Sequence, residues 1–380
     1  MRGHLKERSP GHWAIVIDIS DPQTGKRRMK WHSFRGGKRE AQKECARLIA
    51  QQGDGGYVEP AKITVAEFLA RWLDYKKARL SPLSFERYRD LVRVNIAPTI
   101  GGIPLAKLQP IHLTDLYSKL LESLSARSVT YVHRILKQAL GEAVSWQMLS
   151  RNPADVVKPP KVERREMACL DSNGIAALLE ASRNTSLYMP ILIAVSTGMR
   201  RGEIVALRWR NVDLDNASIA VVSSIEQTRE GTREKPPKNG RGRTLALSAM
   251  LVEELRQHRA QQAEHLLRLG VRLSPDHHVV MKADGSPYPP LSVGVMFSQL
   301  LSRRPSLQRV RFHDLRHSHA TVLLAAGVHP KIAQERLGHS SVSMTLDLYS
   351  HVAPNMQQDA AAKVDALLRQ ALAKTQRDTK

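Results

Sequence analysis

Cysteine is almost missing from this chain: Cys45 and Cys169 are the only two. They stand far apart in segments of different patterning, which argues against a disulfide-stapled scaffold and makes a reducing cytoplasm the expected compartment. No run of about 18 apolar residues occurs, so no membrane-spanning helix is expected. The N-terminal stretch MRGHLKERSPGHW has no apolar segment able to serve as a secretory signal. Acidic residues are scarce, with 36 Asp and Glu against 58 Lys and Arg and a formal charge of +22 at pH 7. Because the basic residues run from end to end, the expected partner is a polyanion, nucleic acid ahead of a membrane surface. No fixed repeat period is present, which excludes a solenoid or propeller.

What is there falls into segments. The 380 residues suffice for two or three domains. In HWAIVIDI, residues 12 to 19, Trp13, Ile15, Ile17 and Ile19 share one face of a predicted strand, and DPQTGK supplies a turn. A second strand over about Arg27 to Phe34 carries basic residues, and Lys38 to Gln52 reads as a helix capping a small sheet. Such a basic ribbon suits a DNA groove, although a solvated basic sheet face has the same pattern. After the break GDGGYVEP, Thr64 and Glu67 form a capping-box pattern. Val65, Phe68, Leu69 and Trp72 then follow at the spacing of one buried helix face.

Further helical patterns begin near Ser84, Pro110 and Ser125, the last with Val129, Val132, Leu136, Ala139, Leu140 and Ala143 inward. The prolines and charges of NPADVVKPPKVERRE read as an extended linker. Beyond it the pattern is mainly helical, with short strands around Ser218 to Ser224 and Thr244 to Leu247. The loop between them is too polar for burial and reads as a mobile hairpin. The expected organisation is therefore a sheet domain at 1–58, a helical domain at 62–151, a linker at 152–166, a mixed α/β domain at 167–354 and a tail helix at 355–380. The fold class is multidomain and mainly α, with small β-sheets.

Four motifs carry chemistry. STGMRRGE contains Arg200 and Glu203, HDLRH contains His313 and Arg316, LGH ends on His339, and Tyr349 follows ten residues later. Each alone has an ordinary explanation: an Arg–Glu surface pair, a histidine helix cap, a half-buried tyrosine. HDLRH also imitates the spacing of a HExxH zinc site, with His319 and His339 as further ligands. Aspartate replaces the general-base glutamate there, and an arginine that would repel the metal lies between the histidines. No metal or other cofactor is expected.

In this order and spacing the motifs resemble the tyrosine recombinase (phage integrase) family of site-specific DNA recombinases. The likeness is strong over residues 170 to 352 and loose before them. It implies a core-binding domain of the SAM-like helical kind, an arm-type DNA-binding sheet in front of it and a catalytic domain behind. It implies Tyr349 as the nucleophile that forms a covalent 3′-phosphotyrosyl link, needing neither ATP nor metal. Arg200 and Arg316 suit a phosphate clamp, because planar guanidiniums hold phosphate oxygens through paired hydrogen bonds.

Glu203 would steady Arg200, while His313 and His339 would donate to the phosphate or move the tyrosine proton. The family's hairpin lysine, the acid for the leaving 5′-oxygen, corresponds to Lys238 in PKNGRGRTLAL or to Lys235 three residues earlier. Lys238 fits the lysine, turn and arginine-led strand better. Double-stranded DNA sites, a homotetramer, a host DNA-bending protein and an excisionase are the implied partners, and integration or excision of a prophage or other mobile element is the implied task. Val364, Leu367, Leu368 and Ala371 form an apolar stripe that either docks on a neighbouring protomer, as in that family, or packs on its own domain. A type IB topoisomerase-like enzyme and a non-catalytic architectural DNA-binding protein are the alternatives.

Overall fold

A computed structural model describes residues 3–20, 27–53, 63–163, 168–237, 240, 242–343, 345–346, 361–362 and 364–369. The chain forms two compact units, Met1–Arg164 and Arg165–Lys380. It is mainly helical with small sheets.

The first unit opens with an antiparallel sheet, β1 (Gly3–Ser9), β2 (His12–Ser20) and β3 (Arg27–Arg35), with β2 in the centre. The β1 strand is not evident from sequence pattern, because Leu5 is its only apolar residue and an edge strand needs little apolar alternation. Ile15 and Ile17 are fully buried against Cys45 and Leu48 of α1 (Lys38–Gly53). The opposite face carries Trp31, about half exposed, with the Arg8 guanidinium 5.6 Å from its ring centre.

A helical bundle follows. Its first helix, α2 (Val65–Lys77), starts on the expected capping box: Glu67 N–H donates to Thr64 Oγ1 and Thr64 N–H donates to Glu67 Oε2. Val65, Phe68, Leu69 and Trp72 are all fully buried, so the helical spacing in the sequence marks the true inward face. The next helix, α3 (Pro82–Asp90), runs through a π-helical segment, Leu91–Ile96, into α4 (Ala97–Ile100). α5 (Pro110–Leu121) and α6 (Ala126–Ser145) complete the core, where the Tyr117 hydroxyl and His133 Nδ1 share a 2.9 Å hydrogen bond.

The proline-rich segment after α6 is packed where it begins. Pro153 and Ala154 are buried in a 3₁₀ turn capped by Asn152, and Thr130 donates to the Pro160 carbonyl. Proline fits there because a turn needs no donor from it.

The second unit is built around α8 (Tyr188–Thr197), apolar all round and buried over Met189–Val195. Around it lie α7 (Ser172–Ser182), α9 (Arg201–Ala206), the sheet β4–β5–β8 (Val212–Asp213, Ser218–Val221, Arg243–Ala246) and the hairpin β6–β7 (Ser224–Thr228, Gly231–Lys235). The helices α10 (Ala249–Arg268), α11 (Pro290–Ser302), α12 (Asp314–Ala325) and α13 (Pro330–Leu337) close the unit. As its polarity suggests, β7 is exposed over Gly231–Glu234, but β6 buries Ile225 and Glu226, the latter 6% exposed with its carboxylate paired to Lys235 of the neighbouring strand.

Candidate active site

Two helix ends create the site. The last carbonyls of any α-helix lack intrahelical partners, and in α8 and α13 those carbonyls are taken by arginines. α8 ends at Gly198 and α13 at Gly338, both left-handed, with φ of 67° and 65°. Arg316, on the first turn of α12 and only 3% exposed, donates from Nη1 to the Gly198 carbonyl (2.7 Å) and from Nη2 to the Leu337 carbonyl (2.6 Å). Arg200 donates from Nη2 to the next carbonyl along, that of Gly338, at 3.1 Å. Two guanidiniums from distant segments thus meet on consecutive carbonyls.

Arg200 precedes α9 as its N-cap, in extended backbone, and its N–H donates to Glu203 Oε2 while its Nη1 donates to Oε1 (both 2.9 Å). Arg200 thus stands at the start of α9, hydrogen-bonded to Glu203 through both its backbone and its guanidinium. Glu203 is 1% exposed. Burial pushes its carboxyl pKa up, but Arg243 and Arg200 together outweigh burial and hold it below the ordinary value. A buried carboxylate that is fully ion-paired is a rigid anchor, not a proton carrier.

The histidines border the same cations. His313 stands at the N-terminal boundary of α12 without a capping hydrogen bond from its side chain, its ring edge-on to that of His317 with centroids 5.3 Å apart. His339 follows the Gly338 turn, and its Nδ1 shares a 3.0 Å hydrogen bond with Thr345 Oγ1. Its pKa is lowered to about 4 by burial first, then by Arg316 and Arg200, so the ring is neutral at pH 7. His313 is shifted in the same direction by desolvation, His317 and Arg316. Arg316 is lowered to about 9 by burial and by Arg200, which leaves it charged at neutral pH. The site therefore offers two fixed cations and two neutral imidazoles around one place, an arrangement suited to an anion with several oxygens.

The phage integrase family profile matches residues 168–356, and the profile of the phage integrase N-terminal SAM-like domain matches residues 64–121. The chain belongs to the phage integrase family. It is a DNA strand-exchange enzyme of the tyrosine recombinase kind. Among relatives, the recombinase is 26% identical to the ICEBs1 integrase of Bacillus subtilis (strain 168), across 96% of this chain and 100% of the relative. Its fold is similar to that of the Tn1549 transposon integrase in complex with a circular intermediate DNA (TM-score 0.70, 19% identity, 80% of this chain and 99% of the other). It is also similar to a lambda integrase tetramer bound to a Holliday junction (TM-score 0.58, 19% identity, 90% of this chain and 94% of the other).

Of the residues the recombinase motifs single out, Arg200, Glu203, His313, Arg316 and His339 come together. Tyr349 and Lys238 lie outside the described residues. Lys235, the alternative hairpin lysine, is ion-paired with Glu226. The zinc-like reading of HDLRH meets a different arrangement, since Asp314 is bound by Arg311 through its backbone N–H (2.7 Å), Nε (3.1 Å) and Nη2 (2.8 Å). Among the described residues no group of three or more His, Cys, Asp or Glu is placed to hold a metal ion.

Motif reading missed two arginines of this recombinase. Arg243, the first residue of β8, donates to both Glu203 oxygens (3.1 and 2.7 Å) and from Nε to the Arg336 carbonyl (2.9 Å). Arg336 donates to His319 Nε2 (3.3 Å) and to the carbonyls of Ala246 and Ser196 (both 3.0 Å). The available signal was the arginine leading the strand after PKNG; nothing in the sequence pattern marks Arg336.

Proposed function

We propose that this chain is the site-specific recombinase of a prophage or other mobile element, joining and separating two double-stranded DNA sites through a 3′-phosphotyrosyl intermediate. The observation that carries the reading is the convergence of Arg200 and Arg316 on the consecutive carbonyls of Leu337 and Gly338, flanked by His313 and His339. As a phosphodiester is attacked, negative charge grows on its non-bridging oxygens, and the two guanidiniums stabilise it without needing to reorganise.

Tyr349 Oη attacks phosphorus, its proton leaving toward a neutral histidine of the pair. The bond to the 5′-oxygen breaks, and Lys238 supplies the proton that this leaving group takes. The phosphotyrosyl ester keeps the energy of the broken linkage, so a 5′-hydroxyl from another strand reverses the step without fuel.

In this reading residues 1–58 bind accessory arm sites, with Arg8 and the exposed Trp31 on the sheet's open face. Residues 62–151 hold the crossover site together with the catalytic segment 167–354, joined by the linker 152–166. The tail 355–380 links protomers in a homotetramer. Val364, Leu367 and Leu368 are all more than half exposed, which favours a partner over packing on their own unit. The mobile-element reading draws on the transposon origin of the Tn1549 relative, and the tetramer on the lambda integrase assembly. A host DNA-bending protein and an excisionase complete the proposed partners, in a cytoplasmic setting at the bacterial nucleoid. No helix among the described residues is long and apolar enough to cross a membrane.

Tyr349→Phe tests the chemistry. The variant is expected to bind DNA flanking the encoding gene with unchanged affinity and to form no denaturant-resistant protein–DNA adduct. An adduct that persists removes Tyr349 as nucleophile.

A further inference from the structure

The family motifs leave Arg243 without a role, yet it stands at the centre of the site's scaffold. All three nitrogens of its guanidinium are engaged: Nη1 and Nη2 hold the two oxygens of Glu203, and Nε holds the Arg336 carbonyl at the end of α13. Its side chain is 12% exposed. Its charge is already paired with the Glu203 carboxylate, whereas the hydrogen bonds of Arg316 go to neutral carbonyls and leave its charge for a phosphate. Arg200 differs. It shares Glu203 but is 26% exposed and turns one nitrogen toward Gly338.

The contacts are reciprocal. While Arg243 of β8 donates to the carbonyl of Arg336, Arg336 of α13 donates to the carbonyl of Ala246 on β8. The strand and the helix are therefore latched in both directions. The latch lies directly under the His339 turn: a side-chain carbon added at Gly338 would sit 3.2 Å from Arg243 Cδ. β8 is also the strand that follows the segment carrying Lys238.

We propose that Arg243 is a positioning residue for strand exchange, which shares the buried charge of Glu203 with Arg200 and fixes the Gly338–His339 turn against β8. The physical reason lies in Glu203. A carboxylate at 1% exposure needs compensation by cations and hydrogen bonds. With Arg243 present, Arg200 supplies only part of that compensation and keeps N–H groups for a substrate oxygen. Without Arg243, the uncompensated carboxylate draws the Arg200 guanidinium into a full pair and off its position beside Gly338. The effect is on attack at phosphorus rather than on DNA affinity. This inference rests on the reading of Arg200 and Arg316 as the phosphate clamp.

The test is single-turnover formation of the covalent adduct by the full chain on saturating duplex DNA cut from the region flanking the encoding gene. Wild type is compared with Arg243→Met, Arg243→Lys and Glu203→Gln/Arg243→Met. Arg243→Met is expected to slow adduct formation about 100-fold with DNA affinity within threefold of wild type, the scale of losing one fixed donor to a transition state. The double variant should recover at least tenfold of that loss, because removing the buried charge releases Arg200; a residue that merely supports the fold would show further loss. Arg243→Lys, which keeps the charge but cannot hold two oxygens and a carbonyl together, should lose about tenfold.

An Arg243→Met enzyme that cleaves at the wild-type rate, or a double variant no faster than the single one, overturns the proposal. If Arg243→Met does not fold, a folded Arg243→Lys enzyme of wild-type rate overturns it equally. Arg200→Met run alongside separates the two ideas: if it retains adduct formation the clamp reading itself fails, whereas loss there with no effect at Arg243 defeats only the positioning role.

Discussion

At the scale of single residues, the second unit buries titratable groups in two opposite ways. Glu203 is buried and charged because two arginines share it, whereas His319 is buried and neutral. His319 Nδ1 binds the Val195 carbonyl at 2.7 Å and Nε2 accepts from Arg336, so its proton belongs on Nδ1. Burial, with Arg336 and Arg316 nearby, lowers its pKa to about 4. In the unfolded chain the same ring takes a proton near its ordinary pKa of about 6.5. Between these values the unfolded state binds more protons, so the contribution is full above pH 6.5 and is lost as pH falls toward 4. For this one residue the loss reaches about 3 kcal/mol. Thermal unfolding of the wild type should therefore show a melting temperature that drops from pH 7 to pH 5. His319→Gln should flatten that slope, and parallel pH curves for the two proteins would contradict the assignment.

At the scale of elements, glycines set the approach of the helix ends. Gly198 has φ of 67°, and a side-chain carbon there would lie 2.6 Å from Leu337 Cδ2 and 2.7 Å from His319 Cδ2. Both the left-handed backbone and the contact with α13 demand glycine. Gly198→Ala is expected to cost about 2–4 kcal/mol, from left-handed strain plus overpacking. Because the Gly198 carbonyl also holds Arg316, cleavage should fall together with stability. Chemical denaturation beside an adduct assay checks both, and a variant of wild-type stability would show that the two helix ends move apart freely.

Elements also differ in how legible they are. α2 reads directly from Thr64, Glu67 and its four buried apolar residues, since helix period and capping are local properties. β1 does not, since one edge strand beside a central partner can be polar throughout except at Leu5.

At the scale of the whole molecule, charge and exposed apolar surface address different partners. The +22 charge suits DNA, but the stripe Val364, Leu367 and Leu368 offers apolar area to solvent in helical residues near the C-terminus. Removing residues 361–380 is expected to leave the stability of the isolated chain unchanged within about 0.5 kcal/mol, because Val364, Leu367 and Leu368 are each more than half exposed. The same truncation should abolish complexes of four subunits on DNA while single-site cleavage survives. Melting curves and sizing of the DNA complexes check the two halves, and a truncated chain that still assembles would exclude the tail as the link between protomers.

The order of the motifs, with Arg200 and Glu203 one helical turn apart, His313 and Arg316 likewise, and His339 just past a glycine stop, was determined by the sequence alone. These relations are local, and backbone geometry converts such spacing into direction. Only the tertiary structure decided that Arg200 and Arg316 meet on neighbouring carbonyls of α13. It alone placed Arg243 and Arg336 beneath them as a two-way latch and showed Glu226 to be buried. Those contacts run through backbone carbonyls at the ends of helices and of β8, and Arg336 reaches the Ser196 carbonyl 140 positions away. Backbone acceptors have no side-chain identity, so no pattern of residue types announces them.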